Sequence, residues 1–171
     1  MKVLVVYFSQ TGNTEQIAKA IHQEASQSNE SRLSKVEETK ADSLNEYDLL
    51  FVGSPIHARG IAGPVKELLD AIVEPPKFKL SLFVTHSAFA YETERFDQGI
   101  SSVEEICKSK KIAFLGSYDC QGRLSPDLQP IVKQSRGLSD EEWAERMAKA
   151  DEHPNAEDEQ KAREFAKSLL I

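Results

Sequence analysis

Met1-Lys2-Val3-Leu4-Val5-Val6-Tyr7-Phe8-Ser9-Gln10-Thr11-Gly12-Asn13-Thr14 stands at the head of the sequence and decides the reading of the rest. Val3 to Phe8 is an unbroken apolar run, as expected of a central strand covered on both faces. The run stops in hydroxyl, amide and glycine residues, and a helical pattern follows from Thr14. A strand that turns at once into a helix presents free backbone N–H groups at the helix N-terminus, and these favour an anion, most often phosphate. No lysine or arginine lies in residues 9 to 14, so backbone N–H groups, hydroxyls and the helix dipole would have to neutralise it. Neither GxxxxGK[ST] nor GxGxxG is present, which favours a mononucleotide over a nucleoside triphosphate or a dinucleotide. An ordinary serine- and threonine-rich turn has the same composition, so the remaining chain has to decide.

Downstream, the helix expected at about 14 to 27 places Ile17, Ala18, Ile21 and Ala25 on one stripe. Polar residues 27 to 43 leave room only for a weak edge strand at about 31 to 37. Buried strands are predicted at 48 to 54, 78 to 85 and 111 to 119, with helices from Gly63-Pro64 and over 98 to 109. Ser101 or Ser102, each three residues before a glutamate, is a candidate capping box for the second of these. Ser139 opens a helix to about Ala150, and Asn155 caps the last one, 156 to 170. Strands therefore alternate with helices five times, the pattern of an α/β doubly wound five-stranded parallel sheet with helices on both faces. Ligands of such sheets bind beyond the carboxyl ends of the strands, where loops 9 to 14, 55 to 62 and 86 to 95 converge.

With these loops in place, the chain resembles the flavodoxin family over most of its length. The opening strand with Ser9-Gln10-Thr11-Gly12-Asn13-Thr14 matches the family's [ST]-x-T-G-x-T phosphate loop, and Gly53-Ser54-Pro55 with Gly63-Pro64-Val65 resembles its second flavin loop. The resemblance implies a flavodoxin-like sheet of strand order 2-1-3-4-5 and FMN as cofactor. It implies that Ser9, Gln10, Thr11, Gly12, Asn13 and Thr14 surround the FMN phosphate. Pro55, Ile56, His57, Ala58, Arg59 and Gly60 would wall one side of the isoalloxazine, and Ser87, Ala88, Phe89 and Tyr91 the other. Tyr91 is the candidate stacking ring and Phe89 its alternate. Gly60 is either a point of backbone reorientation or a turn glycine. The second loop has only His57 where many flavodoxins have a larger aromatic ring, and the resemblance weakens over 120 to 155.

The sequence has 171 residues, enough for a single domain with one sizeable core, and residues 120 to 155 read as an insertion in it. No signal-peptide pattern or membrane-length apolar run is visible, so a cytoplasmic protein without a membrane is expected. Two cysteines, Cys107 and Cys120, are too few for a metal cluster or a disulfide framework. A net charge of −7 without a basic stripe excludes nucleic acid and suits docking to a basic protein. The implied function is electron transport between redox protein partners, such as a reductase or a ferredoxin-type protein, by a monomer or dimer. Arg59, Arg95 and Arg123, set against Glu92, Glu94 and Asp97, keep open an NAD(P)H-dependent FMN or quinone reductase, unless they are only surface ion pairs. A non-redox regulatory binding module is the third reading. A phospho-receiver is disfavoured, because the places for its acidic residues hold Ser9-Gln10 and Ser54-Pro55.

Overall fold

A computed structural model describes residues 1–73, 75–89 and 92–170. Its sheet is built from β1 (Lys2–Tyr7), β2 (Glu30–Lys35), β3 (Leu49–His57), β4 (Gly60–Ile61), β5 (Lys79–His86) and β6 (Ala113–Gln121). Five of these pair in parallel in the order β2-β1-β3-β5-β6, while β4 pairs antiparallel with the end of β3. Leaving out β4, this is the expected 2-1-3-4-5 order. β2 lies at an edge, as its polar sequence requires.

Alternation along the strands feeds two cores. Leu4, Val6, Leu50, Val52, Leu80, Leu82 and Val84 face α2 (Gly63–Asp70) and α3 (Asp97–Ser109). On the other face Val3, Val5, Leu49, Phe51 and Phe83 meet α1 (Asn13–Ala25) and α6 (Ala156–Leu169). The stripe Ile17, Ala18, Ile21 and Ala25 is fully buried there. Between β3 and β5 the Phe83 ring packs over Gly53, where an added Cβ would lie 2.2 Å from it. Near its middle β6 carries one extra residue. Leu80 pairs with Phe114 but Leu82 with Ser117, and Gly116 sits in the interruption at φ +117°.

Several expectations are corrected. Only 3-10 turns, Val36–Glu38 and Ala41–Glu46, connect β2 to β3, so strands and helices do not alternate five times. These turns pack on the α2 face of the sheet, where Val36 and Leu44 are buried in its core. Ser101 and Ser102 lie inside α3 rather than at its cap, and Ser102 Oγ donates back to Gly99 O at 2.7 Å. The segment after β6, expected as an insertion, contains α4 (Gln129–Arg136) before α5 (Asp140–Asp151). Capping boxes at Ser139 with Glu142 and at Asn155 with Asp158 start α5 and α6. His153 supports the second, its Nδ1 lying 2.6 Å from Asp158 Oδ2.

Candidate functional site

The strand-to-helix turn after β1 is held by its own atoms. Gly12 is the N-cap of α1 at φ +89°, a conformation that strains any other residue, and its N–H donates to Ser9 Oγ at 3.1 Å. The first bond of α1 runs from Gln16 N to Gly12 O at 3.0 Å. The N–H groups of Asn13, Thr14 and Glu15 consequently have no acceptor within the helix and point out of its positive end. Beneath them Thr14 Oγ1 and Thr85 Oγ1 share a buried hydrogen bond of 2.8 Å.

Asn13 joins this turn to the loop after β6. Its Nδ2 donates to Arg123 O at 2.7 Å, and the backbone at Gly122 comes so close that a Cβ there would lie 2.7 Å from the same nitrogen. Among the described residues Asn13 Oδ1 is buried without a hydrogen-bond donor. A buried acceptor of this kind calls for a hydroxyl or a water. Residues of the turn, of 55–57, of 85–87 and of 122–125 thus enclose a narrow cleft of about 70 Å³.

A larger cavity of about 700 Å³ adjoins it and shares Gln10, Ile56, His57, His86, Ser87, Leu124 and Leu128. One wall is the β3–β4 hairpin, whose central residues Ala58 and Arg59 both have positive φ, 47° and 74°. That is the twist of a two-residue type I′ turn, made here without the Asn-Gly that normally supplies it. The left-handed residues are therefore Ala58 and Arg59, and Gly60 serves as the paired residue opposite His57. Ser54 holds the hairpin's base: Ala62 N donates to its Oγ at 2.8 Å, and the hydroxyl donates to Pro55 O at 2.8 Å. His57 keeps much surface in solvent, yet desolvation lowers its pKa, so the ring is neutral at pH 7. Leu124, Leu128 and Val132 form the opposite, apolar wall.

Charge concentrates at one end. Glu92, with its side chain 14% exposed, accepts from Arg146 Nη2 at 2.6 Å, Arg95 Nε at 3.3 Å and Arg136 Nη1 at 3.5 Å. Phe89 N also donates to it at 2.9 Å. His86 lies between Asp119 Oδ2 at 3.0 Å from Nε2 and Ala88 O at 3.1 Å from Nδ1, and stacks on Phe96 at 4.0 Å. Both ring nitrogens face acceptors, so both bonds form only when each nitrogen carries a hydrogen.

A flavodoxin domain model matches residues 4–167. The chain belongs to the flavodoxin domain family. It is 31% identical to the flavodoxin-like domain-containing protein BilS of Clostridioides difficile, over all of this chain and 97% of that one. It is 30% identical to the uncharacterized protein MJ0298 of Methanocaldococcus jannaschii, over 99% of each. Among solved structures, oxidised flavodoxin 1 from Bacillus cereus superposes with a TM-score of 0.70 at 18% identity, over 99% of this chain and 97% of that one.

Against this flavodoxin fold, Ser9, Gln10, Thr11, Asn13, Thr14, Pro55, Ile56, His57 and Ser87 line the narrow cleft. Ala58, Arg59 and Ala88 line the larger cavity. Gly12 and Gly60 act through the backbone turns they complete. Phe89 lines neither space; it packs beneath Arg146, whose guanidinium lies 4.3 Å from its ring centre. Tyr91 lies outside the described residues. Of the arginines singled out in the sequence, Arg59 and Arg95 line the larger cavity and Arg123 the cleft. Sequence reading missed Thr85, Leu124, Leu128, Val132 and Arg136, four of which come from the segment after β6. The apolar 128, 131, 132 spacing beside a proline was the available signal for α4.

Cys120 packs between the sheet and α1 and α6, and burial pushes its thiol far above the ordinary range. Burial also raises Cys107 to about 11. At pH 8 neither thiol of the folded protein should react with a disulfide reagent within minutes, and both should react after denaturation. Rapid modification of the folded chain would show that burial does not protect these thiols. Among the described residues no cluster has metal-ligand geometry, and no helix is long and apolar enough to cross a membrane.

Proposed function

We propose that the protein binds FMN and carries electrons between protein partners. The observation behind this reading is a turn of backbone N–H groups and hydroxyls at the start of α1, joined at the same sheet end to a cavity whose walls include Ile56, His57, Ala58, Ser87 and Ala88. The residues fit the group. The free N–H groups of Asn13, Thr14 and Glu15, with the hydroxyls of Ser9 and Thr11, would hold the phosphate. Asn13 Oδ1, which has no donor among the described residues, suits a ribityl hydroxyl. Ile56, His57 and Ala58 on one side, with Ser87 and Ala88 on the other, would bound the isoalloxazine. When bound, FMN supplies the capacity to accept and release electrons. This chain's residues orient it, cover it and set the charge around it.

The net charge of −7 favours a basic redox partner for docking. One feature favours the second reading, an NAD(P)H-dependent FMN or quinone reductase: α4 and the β3–β4 hairpin leave space beside the ring seat for a small molecule. NAD(P)H oxidation in the presence of a quinone separates the two, since a pure carrier shows none.

Titration with FMN, followed by quenching of its fluorescence, tests the cofactor directly. Thr11→Val removes a hydroxyl that lines the cleft and is expected to weaken binding roughly 2- to 10-fold. Thr14→Val is less clean, because it also leaves the Thr85 hydroxyl without its buried partner. An affinity for FMN unchanged in Thr11→Val would count against the cradle.

A further inference from the structure

We propose that the arginine-lined end of the larger cavity binds the carboxylate of a small apolar organic acid. The cavity has about 700 Å³, within the range of sites that enclose drug-sized ligands. Among the described residues its lining includes Arg59, Arg95 and Arg136 and no carboxylate. Behind them a single carboxylate, Glu92, meets Arg95, Arg136 and Arg146, so three guanidinium groups share one negative charge. Arg136 is the most exceptional of the three. Its side chain is only 11% exposed, and among the described residues its polar contacts are two long ones, 3.5 Å to each oxygen of Glu92. The end of α4 helps it, since the negative pole of a helix favours a cation in its last turn. That pole does not fill the remaining donors of the guanidinium fork.

A nearly buried cation that has only a shared, distant counter-charge is completed by an anion. The fork geometry matches a carboxylate in two parallel hydrogen bonds. The remainder of the cavity selects the body of the ligand. Leu124, Leu128, Val132 and Ile56 give it an apolar lining that would hold a ring or short hydrocarbon and would leave a polyanion's other charges unsolvated. The inference rests on the proposed flavin seat only in placing this acid beside FMN; the binding of the acid is measurable by itself.

The test uses the full chain, with and without FMN, titrated with 2-naphthoate and with the uncharged 2-naphthalenemethanol, each followed by its own fluorescence. Naphthoate is expected to bind at least tenfold more tightly than the alcohol. Arg136→Gln should remove that preference, Arg136→Lys should retain part of it, and Arg59→Gln, at an exposed position, should weaken naphthoate without a folding defect. Equal affinities for acid and alcohol, or naphthoate binding indifferent to both glutamine variants, overturn the proposal. So does competition between FMN and naphthoate, which would mean that the arginines serve the flavin, and so does displacement of naphthoate by equimolar inorganic phosphate. Because FMN binding is measured separately, naphthoate binding without FMN binding rejects the flavin reading and keeps the acid site. FMN binding without naphthoate binding does the reverse.

Discussion

Glu92→Ala is expected to lower the free energy of unfolding by about 3–5 kcal/mol, the range found when one partner of a buried ion pair is removed. The size follows from what remains. Arg146 and Arg136, with side chains 7% and 11% exposed, keep their charges but lose the carboxylate they share, and Phe89 N loses its acceptor. Arg146 retains one bond to Ser87 O at 3.1 Å, which does not neutralise it. Arg95 adds little to the total, because it is 35% exposed and solvent screens its pair. Urea denaturation of the wild type, Glu92→Ala and Arg95→Gln checks the ordering. A loss below 1 kcal/mol for Glu92→Ala would show that the guanidinium groups find water or other acceptors. If the cavity takes a carboxylate, naphthoate should stabilise Glu92→Ala more than the wild type, since it would replace part of the missing charge.

Gly53→Ala gives the second large effect, in the middle of the sheet. The new methyl group would lie 2.2 Å from the Phe83 ring, which is fully buried between the sheet and the helices beyond it. Overpacking of this kind costs about 1–3 kcal/mol, and more where the neighbour has no room to turn. Phe83→Leu removes the opposing ring atoms. The double variant should therefore be more stable than the sum of the two single losses by about 1 kcal/mol or more, a coupling typical of residues in contact. Thermal denaturation of the four proteins measures it. Strict additivity would mean that β3 and β5 simply separate to admit the methyl group.

These two positions illustrate what a sequence reveals and what it hides. Gly53 was legible as part of a buried strand, though that strand runs on to His57, and residues 9 to 14 as an anion turn, because both signals lie in adjacent residues: apolar run, glycine, hydroxyl, helix start. The five parallel strands were legible for the same reason. The cluster at Glu92 was not, since its arginines come from positions 95, 136 and 146, which only the folding of α4 and α5 onto the sheet end brings together. The hairpin misled in another way. Gly60 has the permissive backbone, but the left-handed conformations fall on Ala58 and Arg59, where tertiary contacts override local preference. One such contact is α3 at Gly99, whose missing Cβ makes room for Ile56 and for the backbone of Arg59.

The extra residue at Gly116 acts as a change of parity. Side chains in a strand alternate between faces, so one inserted residue exchanges the faces of everything after it. Leu115 and Tyr118, three apart, pack on the same side with α6, and Cys120 follows them toward α1. Asp119 is thereby sent to the opposite side, next to His86. Deleting Gly116 would leave the composition of the strand almost intact and invert its meaning. Tyr118 would face the side of His86, and Asp119 would turn into the apolar layer beside Phe165. The carboxylate at the cavity's histidine is thus a product of counting along the strand.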